Sequence, residues 1–148
     1  MSNDIALEPV HHVVCGVENE ELSAPAIAVA ARIAVPLGAR LSLVHVSGTV
    51  ANFTGGTTSR SHPREELRAE LTADVHAWLD PLAERMNGVP VVIVGDDPAD
   101  ALKRWVVAEG GDLIVVCPHR RGLARILGSF ASGIVQNAPC AVVLAPPD

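Results

Sequence analysis

Five short runs rich in Val, Ile, Leu and Ala recur along the chain with helical stretches between them, and this alternation limits the fold more than any other feature. The runs are Val10–Val17, Leu41–Val46, Pro90–Val94, Asp112–Cys117 and Ala141–Leu144. Strands that alternate with helices imply a parallel sheet covered by helices on both faces, an α/β fold. Only 3% of the residues are aromatic while 49% are hydrophobic, so the core must come from small aliphatic side chains. Such a core suits buried parallel strands under Ala-rich helices. The 148 residues, with no internal repeat, fit one domain spanning 1–148.

The helical stretches have legible ends. Ser23 to Val35 is Ala-rich, with Pro25 in its expected first turn, Pro36 as an expected break and Gly38 as a stop. Leu67, Leu71, Val75, Trp78, Leu82 and Met86 form one apolar stripe and predict a long helix packed on the core. Pro81 should kink or split that helix near residues 77–80, and Asn87-Gly88 ends it. Asp97 caps the next helix, Pro98 opens it, Leu102, Trp105 and Val106 form its apolar face, and Gly110-Gly111 closes it. A last helix runs from Ser129, read as its cap, to about Asn137. Ser47 to His62, rich in Ser, Thr and Gly, predicts a surface loop.

Charge and targeting signals narrow the function classes. A formal net charge of −6 argues against general nucleic-acid binding, which needs a basic face. No apolar stretch reaches the ~18 residues that cross a bilayer. Met1-Ser2-Asn3-Asp4 lacks the basic-then-apolar pattern of a secretory leader. Three cysteines without regular spacing do not read as a disulfide framework. A cytoplasmic location is therefore the expectation, with neither membrane nor general nucleic acid as partner.

The densest chemistry lies in the last third. Asp112-Leu113-Ile114-Val115-Val116-Cys117 leads into Pro118-His119-Arg120-Arg121-Gly122, then Gly128-Ser129, then Ala138-Pro139-Cys140-Ala141-Val142-Val143-Leu144. In such strand–loop–helix–strand units an anion binds where the strand's carboxyl end meets the next helix's amino end. His119, Arg120, Arg121 and Arg125 make a basic cluster in an acidic chain. Their side chains offer forked hydrogen bonds to a phosphate, or pair with carboxylates such as Glu18 or Asp96.

Five segments in this order resemble the universal stress protein family. They are Val13–Glu18, Leu37–Val46, Gly95–Leu102, Asp112–Val116 and Ala138–Cys140. The resemblance implies a five-stranded parallel sheet of order 3-2-1-4-5, like that of the adenine nucleotide α-hydrolase superfamily. It further implies a ligand cleft between strands 1 and 4, and a homodimer joined through strand five at Ala141, Val142, Val143 and Leu144. ATP or another adenine nucleotide is the cofactor class it suggests, in a stress-response protein. Gly16, Val17, Glu18 and Val46 would border the base. Cys117, His119, Arg120, Arg121, Gly122, Gly128, Ser129 and Phe130 would surround the phosphates or another small anion. Against the family's pattern of G-x-x-G, nine residues, then G-[ST], Cys117 and Arg120 stand at the two first glycine positions, and seven residues precede Gly128. A Cβ at those positions and a missing N–H at Pro118 weaken a backbone phosphate cradle. The alternative reading is a universal stress protein that binds no nucleotide and acts as a protein-interaction or regulatory module. A small enzyme of the α-hydrolase superfamily is a third.

Other constellations carry less. Cys15 and Cys117 end neighbouring strands and read as buried structural thiols, with a redox pair or a metal site alongside His119 as the sharper alternative. Cys140 reads as structural too. His11 and His12 point to opposite sheet faces, His45 reads as packed, and Asp96-Asp97 serve a helix start. No nucleophile–base–orienter set is legible, so no catalytic residue is assigned and at most slow nucleotide hydrolysis is expected.

Overall fold

A computed structural model describes residues 8–48, 64–118 and 128–146. Five strands form one all-parallel sheet in the order β3-β2-β1-β4-β5. The strands are β1 (His12–Gly16), β2 (Arg40–Ser47), β3 (Val89–Val94), β4 (Leu113–Val116) and β5 (Ala141–Leu144). Among the described residues the helices between them are α1 (Glu20–Leu37), α2 (Arg64–Arg85), α3 (Pro98–Glu109) and α4 (Ser129–Val135). The expected architecture and strand order are both present.

Strand periodicity divides the core into two layers. Alternate residues of a strand face opposite sides. Val13, Cys15, Leu41, Leu43, Leu113, Val115 and Cys117 thus pack under α1 and α2, against Ala26, Ile27, Ala30, Leu79 and Ala83. Val14, Val44, Ile114 and Val116 face α3 and α4, against Ala99, Leu102, Val106, Ala131 and Ile134. Small alanines let the helices sit close to a sheet of branched side chains, which is how a chain so poor in aromatics fills its interior.

Helix ends follow cap chemistry more than the proline pattern predicts. α1 begins at Glu20, not Ser23, because the Asn19 side chain accepts the Leu22 N–H at 2.8 Å and two glutamates occupy the first turn. Pro25 therefore lies in the second turn. Pro36 does not break the helix; it falls in the last turn, just before Gly38 at φ 62° closes it. α2 likewise runs unbroken through Pro81. The α2 stripe is shifted from the predicted one: Leu79 and Ala83 are fully buried beside Val75 and Leu82, whereas Leu67 and Leu71 are only partly buried. α3 matches expectation, with Asp97 accepting the Asp100 N–H and Gly110 as its left-handed stop. α4 differs, since Gly128 holds the cap position and no side chain caps it, leaving Ser129 as the first helical residue. The predicted 47–62 loop lies outside the described residues from position 49 onward.

Candidate functional site

Parallel connectivity puts the carboxyl ends of all strands on one side, where α3 and α4 also begin. A cavity of about 260 Å³ opens there, lined by Val17, Glu18, Val44, His45, Val46, Pro98, Ser129 and Phe130. Each element delivers its residues for a local reason. β1 ends at Gly16, and the Val17 N–H continues the ladder to the Val44 carbonyl at 2.8 Å. The Glu18 N–H then donates to the Ser23 hydroxyl at 2.9 Å, which fixes the turn into α1 and keeps Glu18 on the cavity wall. His45 donates from Nδ1 to the Val17 carbonyl at 2.8 Å and packs edge-on against Trp78, 5.4 Å between ring centres. Its ring is thereby held at the junction of β1 and β2.

α4 supplies the opposite wall. An added Cβ at Gly16 would lie 3.1 Å from Cε1 and 3.2 Å from Cζ of Phe130, and 3.1 Å from Cγ1 of Val116. Gly16 thus lets the ring seat close on the ends of β1 and β4, where a Cβ would crowd it by a few tenths of an ångström. The open volume accordingly lies over β1 and β2, while Phe130 covers the β1–β4 side. A larger groove of about 430 Å³ adjoins it between α3 and α4, sharing Pro98, Ser129 and Phe130.

Of the residues singled out from sequence, Val17, Glu18, Val46, Ser129 and Phe130 converge on this cavity, and Gly16 lies beneath Phe130. Gly128 caps α4. Cys117 packs its side chain into the α1/α2 core layer and does not line the cavity. His119, Arg120, Arg121 and Gly122 lie outside the described residues. Ala141 to Leu144 form the sheet edge, paired with β4 on one side. Sequence reasoning missed Val44, His45 and Pro98. Val44 and His45 adjoin Val46 at the end of an apolar run, and Pro98 opens the helix after β3, so strand-end position was the available signal.

The thiols are structural in their surroundings. Cys15 and Cys117 are buried on the same sheet face, and burial, reinforced by Cys117, pushes the Cys15 thiol well above its ordinary range. Burial and then the Asp112 carboxylate raise Cys140, against a backbone hydrogen bond at Ile114. Among the described residues no cluster of three or more His, Cys, Asp or Glu is arranged to hold a metal, and no helix is long and apolar enough to cross a membrane.

The family model described as the universal stress protein family matches residues 9–146. The chain belongs to the universal stress protein family. Solved universal stress proteins superimpose over nearly its whole length. UspA from Lactobacillus plantarum is 20% identical with a TM-score of 0.72, covering 94% of this chain and 99% of the other. A universal stress protein in complex with cAMP is also 20% identical, with a TM-score of 0.68 and coverage of 95% and 100%. The Archaeoglobus fulgidus protein in complex with dAMP is 16% identical, with a TM-score of 0.62 and coverage of 93% and 99%. At these identities the likeness shows the shared fold. No curated protein matches the sequence at a significant level.

Proposed function

We propose that this universal stress protein binds an adenine nucleotide, base inward, in the cavity at the carboxyl ends of β1 and β2, and does so as a homodimer joined through β5. The observation that carries the reading is the cavity itself: apolar walls from Val17, Val44, Val46 and Pro98, with Glu18, His45 and Ser129 as polar groups. Mostly apolar lining with a few polar groups is the profile of a small-molecule site. Its place, outside the strand ends next to the reversal of strand order, is where open α/β sheets bind ligands. Complexes of two structural relatives with cAMP and dAMP make the nucleotide class reasonable. The phosphates would extend toward the arginine-rich segment, where Arg120 and Arg121 substitute side-chain donors for the family's glycine N–H groups.

Native mass spectrometry of freshly purified protein, followed by calorimetry with AMP, cAMP and ATP, tests this reading. A co-purifying adenine nucleotide, or saturable binding of any of the three, is expected; the double variant Arg120→Ala, Arg121→Ala should bind ATP more weakly. Absence of bound nucleotide together with no heat from any of the three would overturn it.

One observation favours the second reading, an interaction module without nucleotide. Cys117, at the first motif-glycine position, and Pro118 after it are both buried, and Pro118 has no N–H to donate. That part of the loop is built as core extension. The same calorimetry separates the two readings.

A further inference from the structure

We propose that Phe130 is the residue by which this site selects its ligand: the ring is the aromatic wall for a planar heterocycle, so the cavity discriminates a purine-type base from the sugar phosphate that carries it. The inference rests on the nucleotide reading above and goes beyond it by assigning recognition to one side chain and one part of the ligand.

Aromatic rings are scarce in this chain, with two Phe, two Trp and no Tyr. Trp78 and Trp105 are engaged edge-on by His45 and His12. Phe130 instead lines the cavity and is only partly buried. Its placement is tightly determined. Cε1 and Cζ of the ring lie so close over Gly16 that a Cβ added there would stand 3.1 and 3.2 Å from them, tighter than ordinary packing, so the ring would have to give way to it. A ring packed this closely on Gly16 and Val116 has little side-chain freedom left to lose on binding. The facing wall of Val17, Val44, Val46 and Pro98 is apolar, so the space suits a flat, weakly polar group. Glu18, a residue of negative charge, lines the same cavity. That charge repels a phosphate but accepts from ring or exocyclic N–H groups, which orients the base inward.

Calorimetry with AMP and with ribose 5-phosphate, on the wild type and on Phe130→Leu, tests the assignment. The wild type should prefer AMP. Phe130→Leu keeps an apolar filling but no π surface, and should lose about 5- to 150-fold in AMP affinity with its ribose 5-phosphate affinity unchanged. Phe130→Trp should restore the preference. An undiminished AMP preference in Phe130→Leu overturns this inference and leaves the nucleotide reading standing. Equal binding of both compounds by the wild type also overturns it, and binding of neither removes both readings together. Should Phe130→Leu fail to fold, the Phe130 ring protons of the wild type provide the test: AMP should shift them by ring current where ribose 5-phosphate does not, and identical shifts would refute the role.

Discussion

Cys15 shows how a single side chain sets a property of the folded state. Its thiol is sealed between β2 and β4 in the α1/α2 core layer, and burial holds it protonated far above the ordinary thiol range. On unfolding the thiol would ionise once pH passes its ordinary value of 9.0. The folded state then binds more protons than the unfolded one, so this contribution is fully present below about pH 8.5 and shrinks as pH rises. The chain has no tyrosine, and its other thiols are Cys117 and Cys140. Unfolding free energy from denaturant titrations should fall by about 1.4 kcal/mol per pH unit above roughly pH 9 from this thiol alone. Cys15→Val should flatten the slope, and an unaltered slope in that variant would refute the assignment.

At the scale of elements, the contact between α3 and α4 decides where Ser129 and Phe130 stand. A Cβ on Gly133 would come within 2.6 Å of the Ala99 Cβ, closer than packed atoms approach. Gly133→Ala gains up to about 1 kcal/mol of helix propensity. It must nevertheless push the helices apart, at a cost of about 1–3 kcal/mol. A lower denaturation midpoint is expected, with weaker nucleotide binding as α4 shifts; a more stable variant would show that the helices are not in tight contact. The elements themselves were legible in the sequence where composition and cap chemistry agree, as in α3, whose Asp97-Pro98 start and Gly110 stop stand as read. Prolines misled the reading. Pro36 lies too near a helix end to terminate more than it already would, and Pro81 sits in a helix held by its packing on the sheet through Leu79, Leu82 and Ala83.

For the whole molecule, the two sheet edges differ in what the proposal asks of them. β5 ends the sheet with Ala141 and Leu144 exposed. An unpaired edge strand is a template for a second chain, and a charge placed on it opposes pairing. Sedimentation should find the wild type at dimer mass and Leu144→Lys at monomer mass; a wild type that sediments as a monomer at high concentration would remove the dimer from the reading. Sheet order followed from the family resemblance that the ordered motifs carry, and Val17, Glu18 and Val46 at strand ends and Ser129 and Phe130 at a helix start reach one cavity because that order brings those ends together. Val44, His45 and Pro98 each stand at or just beyond a strand end, a signal the sequence does carry, but that three separate βα connections converge on one cavity is recorded by no local pattern.

The amino end of the sheet is built in another way. Asp112 accepts the backbone N–H groups of His11 and His12 at 2.8 and 3.0 Å. The buried His12 ring meets the Glu109 carbonyl at 3.2 Å and the Ser42 hydroxyl at 2.7 Å. One buried histidine thus ties β1, β2 and the end of α3, while the opposite end of the same strands holds an open cavity. The sheet is riveted by a buried side chain at one margin and opens onto a cavity at the other. Amide hydrogens around the cavity should therefore exchange before those at the riveted margin, and a molecule lodged there would slow the first without altering the second.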